Sequence, residues 1–141
     1  MSNNVLGLIK ANNYISYIDF EIAKMLKSLG WDLHTSIQYL NGNLVNLDLG
    51  ECVLLEMTSK SKELYYCPSI EQTIAWILDK YNIYITVEPN DSALGYYIYD
   101  KTGEAEYMLL SKSNEDFMDI RVAYIAAIKN VLGELIEDGS N

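Results

Sequence analysis

Apolar residues recur at helical spacing in the segment that follows position 18. An apolar residue at every third or fourth position places its side chain on one face of a helix. Asp19 can accept hydrogen bonds from the free amide groups of the first turn, and Gly30 suits the left-handed conformation that ends many helices. The sequence therefore predicts a first helix that ends at Leu29, and its apolar face consists of Ile22, Met25, Leu26 and Leu29.

The period of the pattern changes to two beyond Trp31, which is typical of strands. The pair Asn41-Gly42 separates the β-favouring runs Ile37–Leu40 and Leu44–Leu49. Asn and Gly both adopt positive φ at low cost, so this arrangement predicts a tight hairpin. A third strand is expected over Cys52–Met57, followed by a solvated polar loop over 58–63.

A second helix is predicted to begin at Cys67-Pro68-Ser69, because Pro has a φ suited to a first turn and Ser69 with Gln72 resembles a capping box. Its apolar stripe consists of Ile70, Ile74, Ile77, Leu78 and Tyr81, widened by Ala75 and Trp76. Three strands are then predicted, over residues 83–87, 96–99 and 106–110, with turns around residues 89–92 and 100–103.

The last helix is predicted to start after Ser113, because Glu115 and Asp116 suit the positive end of a helix dipole. Its stripe comprises Phe117, Ile120, Tyr124, Ala127, Ile128, Val131, Leu132 and Leu135. The resulting order, α-βββ-α-βββ-α, predicts an α+β fold in which three helices pack on antiparallel β-meanders. We expect an N-terminal arm over residues 1–17, a single domain over 18–137 and a frayed tail over 138–141. Similar spacing in the two halves leaves an internal duplication open.

Charge narrows the classes of partner. The chain has 20 acidic and 10 basic side chains, for a formal net charge of −10. This sign disfavours nucleic acid and anionic membrane surfaces, and it leaves a basic protein partner open. With two cysteines, no secretion signal and no apolar run long enough to span a membrane, the chain is expected in the cytoplasm.

The residues that usually carry catalysis are few. His34 is the only histidine and has no evident orienting partner, and Cys67, which could be activated at a helix start, has no base nearby in sequence. Cys52 and Cys67 lack metal-ligand spacing, and no nucleotide-binding or hydrolase motif occurs. We therefore expect no catalytic residues, no metal, no cofactor and no enzymatic activity.

Tyrosine is the unusual feature of the composition, with twelve residues. Strand alternation places Tyr97 and Tyr99 on one face and Tyr96 on the other, so some of these rings should reach the surface. Exposed tyrosines are enriched in protein interfaces, although half-buried strand residues with solvated hydroxyls explain them equally well. The predicted partner-binding residues are Tyr65, Tyr66, Tyr96, Tyr97, Tyr99 and Tyr107.

From Ser69 onward the order of helix, three strands and helix is the topology of the double-stranded-RNA-binding domain. That family contacts phosphates through a basic start of its final helix. Here the corresponding residues are Ser113-Asn114-Glu115-Asp116. Their charge would repel the RNA backbone, so RNA binding is not expected.

Four features of the chain carry a resemblance to known sequences: residues 23–31, the segment from Cys67-Pro68-Ser69 through Trp76-Ile77-Leu78 to Ile83, a Tyr-rich strand and a long last helix. In these features the chain resembles short uncharacterised proteins of gut Bacteroides-type bacteria, their prophages and their phages. The shared motifs are packing and capping signals. The resemblance implies an accessory gene of a mobile element and no particular activity.

The sequence is compatible with three functions. The favoured one is a non-enzymatic phage or prophage accessory protein that binds a host or viral protein, with inhibition of a host defence system as one role. The alternatives are a protein that sequesters a small nucleotide-like signal, and a component of a virion or its assembly. A homodimer is left open by the apolar strip of the last helix.

Overall fold

In the residues that the structure describes, three helices and six strands follow one another in the predicted order. The structure is a computed structural model, and it describes residues 17–46, 64–91 and 93–139. The order α-βββ-α-βββ-α and the α+β class are confirmed. Within these ranges no helix has the length and apolar character that crossing a bilayer requires.

The chain divides into two compact units, Met1–Ser69 and Ile70–Asn141. Each unit contains a three-stranded antiparallel sheet and at least one helix. The single domain predicted over 18–137 and the arm predicted over 1–17 stay predictions. Of that arm only Tyr17 is described, and it forms a β-bridge with Ser69 inside the first unit.

Helix α1 spans Phe20–Ser28 and begins and ends where the local signals place it. The carboxylate of Asp19 accepts a hydrogen bond from the amide of Ile22 at 2.9 Å. Gly30 has a φ of 90°, the left-handed conformation expected after the last turn. Ile22, Ala23 and Leu26 are buried, so the predicted apolar face is the one that packs inward.

The first sheet consists of β1 (Ile37–Leu40), β2 (Asn43–Asn46) and β3 (Leu64–Tyr66) in the order β2-β1-β3. Leu40 pairs with Asn43, and the intervening Asn41 and Gly42 have φ values of 51° and 84°, so the hairpin prediction is confirmed. The strand predicted over 52–57 and the loop predicted over 58–63 lie outside the described residues. Strand β3, which the sequence pattern did not predict, pairs with the other edge of β1.

Backbone and side-chain hydrogen bonds connect the residues just before α1 and just after β3 to strand β1. The hydroxyl of Tyr39 donates to the carbonyl of Ile18 at 2.7 Å, and the amide of Cys67 donates to the carbonyl of Ile37 at 3.0 Å. Because Ile18, Tyr39 and Cys67 are buried, these bonds satisfy polar groups that water cannot reach.

The second unit begins with helix α2 (Ile70–Tyr81), followed by β4 (Ile83–Asn90), β5 (Ala93–Lys101) and β6 (Tyr107–Lys112). These strands form an antiparallel meander in the order β4-β5-β6. Asn90 pairs with Ala93, so β4 extends through Pro89, beyond the predicted break in the strand. The second hairpin closes as predicted, with the amide of Thr102 donating to the carbonyl of Glu106 at 2.9 Å.

Helix α3 spans Ile120–Gly139, and the prediction that it starts after Ser113 is wrong. Asp119 caps the helix instead, since its carboxylate accepts from the amide of Val122 at 3.1 Å. Ser113 continues the pairing of β6 with β5 through Tyr96, and Phe117 exchanges two backbone hydrogen bonds with Leu94. These pairings hold Ser113 and Phe117 against β5, with bends at Asn114 and Glu115, before the helix begins. At its other end α3 runs through Gly139, into the range predicted as tail.

The buried face of α3 differs partly from the predicted stripe. Ile120 is 53% exposed and Tyr124 is half-buried, whereas Ala123 and Ile125 are buried without having been predicted so. The late start of the helix explains the difference at Ile120, which is the first helical residue. The helix packs on β4 and β5 and also contacts α2. Its buried residues are Ala123, Ile125, Ala127, Ile128, Val131 and Leu132.

The two sheets differ in the strand that occupies the centre. In the first sheet it is β1, the first of its described strands, and in the second it is β5, the middle one. Two copies of one ancestral unit would share a strand order, so the described strands lend no support to an internal duplication.

Candidate protein-binding face

The second sheet has one face covered by helices and one that carries tyrosines. Ile85 pairs with Ile98, and both are buried beneath the helices. Tyr96 lies on this same side, where the side-chain amide of Asn130 on α3 donates to its hydroxyl at 3.0 Å. Because strand side chains alternate, Tyr97 and Tyr99 face the opposite way, as predicted.

Three rings on that opposite face come together across all three strands. Tyr84 of β4 pairs directly with Tyr99 of β5, and Tyr107 of β6 completes the group. The ring centroids are 6.5 Å apart for Tyr84 and Tyr99, 5.7 Å for Tyr84 and Tyr107, and 6.4 Å for Tyr99 and Tyr107. We call these three residues the tyrosine cluster, and the tyrosine face is the cluster together with Tyr97.

The cluster is accessible from solvent. Tyr84 is 37% exposed and Tyr107 is 47% exposed. Mutual ring contacts limit the rotamers of these side chains, so less conformational entropy is lost when a partner covers them. The arrangement offers a pre-ordered aromatic surface of the kind that is enriched in interface cores.

Strand β6 carries an exposed apolar run along the edge of the sheet beside this face. Tyr107, Met108, Leu109 and Leu110 are each 47 to 54% exposed. A one-residue irregularity near Leu110 interrupts the pairing with β5, which resumes at Ser111. Consecutive exposed apolar residues on one strand are uncommon on a monomer surface and mark interaction sites.

A polar pocket of about 350 Å³ lies at one end of the tyrosine face. Tyr97 belongs to both, and Lys112, which pairs with Tyr97, lines the pocket as well. The remaining lining residues are Asn90, Asp91, Ser113 and Asp116. One ammonium and two carboxylates give the pocket an excess of negative charge.

Gly95 allows two side chains to approach the floor of this region. A Cβ at position 95 would lie 2.6 Å from Nδ2 of Asn90 and 3.1 Å from Oγ of Ser113. We expect Gly95→Ala to lower the free energy of unfolding by no more than about 1 kcal/mol, because the flexible end of the Asn90 side chain must move aside. Urea denaturation should show that adding Asn90→Ala recovers part of the loss, whereas equal losses with and without Asn90 would contradict the explanation.

Of the predicted set, Tyr97, Tyr99 and Tyr107 share one face of the second sheet. Tyr96 points to the helix side and contacts Phe117 with ring centroids 6.0 Å apart. Tyr65 and Tyr66 belong to the first unit. Tyr65 contacts Phe20 at 5.5 Å, and Tyr66 contacts His34 at 5.6 Å.

Tyr84 was not predicted among the partner-binding residues, although the alternation of its strand indicates which way its side chain faces. It alternates with Ile83 and Ile85, which predicts that it faces away from the helices. Alternation does not predict the register between β4 and β5. The structure pairs Tyr84 directly with Tyr99, and this pairing brings the two rings together.

His34 and Cys67 occupy ordinary structural positions in the first unit. His34 is exposed beside Tyr66, whereas Cys67 is 1% exposed and its thiol donates to the carbonyl of Ile18 at 3.5 Å. Among the described residues, no group of three or more His, Cys, Asp or Glu side chains is arranged to hold a metal ion.

Negative charge is concentrated in the unit that carries the tyrosine face. Residues 70–141 contain thirteen acidic and five basic side chains, a net charge of −8. Residues 1–69 contain seven and five, a net charge of −2. The field around the second unit therefore favours positively charged molecules.

Comparisons with known proteins add no relative to this description. No protein-family profile, no characterised protein and no solved structure matches the chain.

Proposed function

We propose that this chain is a non-enzymatic binding protein that recognises another protein through its tyrosine face. We further propose that it acts in the bacterial cytoplasm as a phage or prophage accessory protein, with inhibition of a host defence system as the role that we favour. The resemblance of the sequence to phage and prophage proteins supports this setting. The tyrosine cluster supports the mode of action.

One observation carries the proposal: three tyrosines from three strands form a contiguous, accessible group beside the exposed apolar run of β6. If the tyrosines were only half-buried strand residues with solvated hydroxyls, their rings would not need to contact one another. Tyrosine rings provide a large contact area at low entropic cost. Aromatic residues also dominate the energetics of protein interfaces.

The small-ligand alternative receives less support from the site. A nucleotide-like signal carries phosphate, and phosphate sites are built from Arg, Lys and free amide groups. The polar pocket presents Asp91 and Asp116 beside the single Lys112. Their carboxylates would repel a phosphate, so the pocket suits this class of ligand poorly.

The placement of the reactive side chains supports a non-enzymatic role. A nucleophile needs a base within hydrogen-bond reach. The Cys67 thiol is buried and donates to a backbone carbonyl, and the His34 ring is at the surface against Tyr66. This arrangement is what structural residues require.

The proposal is tested by capturing partners from bacterial lysate, purifying the recurrent partner and measuring its affinity for two variants. Tyr84→Thr removes a ring of the cluster and keeps a residue that favours strands. We expect it to weaken binding by about tenfold or more, as for an aromatic residue at the centre of an interface.

Tyr66→Thr is the matched control, since Tyr66 is 36% exposed and Tyr84 is 37% exposed. We expect its affinity to stay near that of the wild type. Equal affinity for wild type and Tyr84→Thr would contradict the proposal, as would a larger loss from Tyr66→Thr.

A further inference from the structure

Strand β6 forms one edge of the second sheet, and no other described strand pairs with its outer side. The direction of its backbone groups follows from the hairpin. Thr102 and Glu106 form a hydrogen-bonded pair at the closed end, with the amide of Thr102 donating at 2.9 Å. Hydrogen-bonded and non-hydrogen-bonded pairs alternate along an antiparallel ladder.

This alternation makes Lys101 with Tyr107, and Tyr99 with Leu109, non-hydrogen-bonded pairs. The amide and carbonyl groups of Tyr107 and Leu109 therefore point away from β5, toward the open edge. The irregularity in pairing lies beyond Leu109, so these two residues stay in phase. They offer two donors and two acceptors in the spacing that an added strand requires.

The two edges of the sheet are protected differently. Strand β4 contains Pro89, which has no amide hydrogen and discourages an added strand. The apolar run of β6 has neither proline nor charge between Tyr107 and Leu110, and these residues are about half exposed. An open edge of this composition is a template for strand pairing.

Carboxylates stand at both ends of the apolar run. Glu104 and Glu106 precede β6, and Glu115 and Asp116 follow it, so carboxylates outnumber the one cation of the strand, Lys112. All four carboxylates are exposed. The unit as a whole has a net charge of −8. An extended segment with apolar residues in its middle and Lys or Arg at both ends would complement this edge in shape and charge.

We propose that the partner docks by strand addition, laying an extended segment with basic flanks and an apolar centre along the outer edge of β6. This inference rests on the proposed function, because it specifies the chemistry and the binding mode of the partner at the same site. The side chains of the added strand would alternate between the tyrosine face and the opposite face of the sheet.

The test uses a synthetic peptide, Lys-Arg-Val-Thr-Val-Thr-Val-Arg-Lys, titrated against the full chain by calorimetry or fluorescence anisotropy. We expect saturable binding that weakens as salt is raised, since the flanking charges are solvent-exposed. A counterpart with Glu and Asp in place of the basic residues should not bind.

The decisive variants change the outward backbone group at one position. Leu109→Pro removes an amide hydrogen that points away from β5, so the β5–β6 ladder is kept. Leu109→Ala removes the side chain and keeps the amide. We expect Leu109→Pro to weaken the basic peptide by about tenfold or more and Leu109→Ala to weaken it less, with circular dichroism confirming that both remain folded.

Strand addition would be overturned by no binding of the basic peptide, by equal binding of the acidic peptide, or by equal losses for the two Leu109 variants. A wild-type chain that sediments at twice its mass of 16.0 kDa, and loses that state in Leu109→Pro, would also overturn it, because a second copy would then occupy the edge. Partner capture that depends on Tyr84 but not on the Leu109 amide would refute strand addition and leave the proposed function standing.

Discussion

Ile128→Ala should lower the free energy of unfolding of the second unit by about 3 kcal/mol. Ile128 is fully buried on the face of α3 that packs on β4 and β5, so truncation removes contacts and leaves a cavity. Urea denaturation followed by far-UV circular dichroism would measure the loss through the shift in midpoint at unchanged slope.

Ile120→Ala is the matched control for this change, because it makes the same substitution in the same helix. Ile120 is 53% exposed, and we expect its truncation to change the free energy of unfolding by less than about 0.5 kcal/mol. Similar losses from the two substitutions would show that the buried face of α3 has been assigned wrongly.

Replacing the whole tyrosine cluster should have the largest effect on binding. In the triple variant Tyr84→Thr, Tyr99→Thr and Tyr107→Thr, the aromatic surface is removed from all three strands at once. We expect the affinity for the partner to fall by about a hundredfold or more, since each residue of an aromatic hot spot contributes about 1 to 2 kcal/mol.

This result is informative only if the sheet survives. Threonine favours strands, and Tyr84 and Tyr107 are partly solvated already, so we expect the triple variant to melt cooperatively. Tyr39→Thr supplies a contrast, because Tyr39 is buried in the first unit and its hydroxyl bonds to the Ile18 carbonyl. That variant should lose stability and retain its affinity while folded, and the reverse pattern would contradict the assignment of the site.

The elements that the sequence predicted correctly depend on local chemistry. Asp19 caps α1 and Gly30 follows its last turn, and both act within a few residues of their own position. The turn at Asn41-Gly42 needs two residues at positive φ, and this pair accepts that conformation at low cost. Local signals of this kind can be recognised from a single sequence.

The prediction failed where distant residues decide the outcome. Glu115 and Asp116 look like the first turn of a helix, yet Phe117 is held extended by its two hydrogen bonds to Leu94. No local sequence feature near residue 117 predicts that pairing, because it depends on the path of β5. Strand β3 was missed for a related reason: three residues are too few to show alternation.

Part of the candidate site could be predicted from the sequence. Alternation separates Tyr97 and Tyr99 from Tyr96, and the side-chain contacts agree. The cluster itself depends on the strand register. The register places Tyr84 opposite Tyr99, and the ring of Tyr107 on β6 contacts both of them. Composition alone gave no means of separating Tyr65 and Tyr66, which belong to the first unit, from the tyrosines of the second sheet.

Hydrogen–deuterium exchange on the purified complex tests the central claim most directly, because it maps the contact without altering any residue. The account predicts slower exchange on β6 and the adjoining part of β5 when the partner is bound, with little change in α1. Protection confined to residues 17–46, with exchange across 93–112 unchanged by the partner, would contradict it.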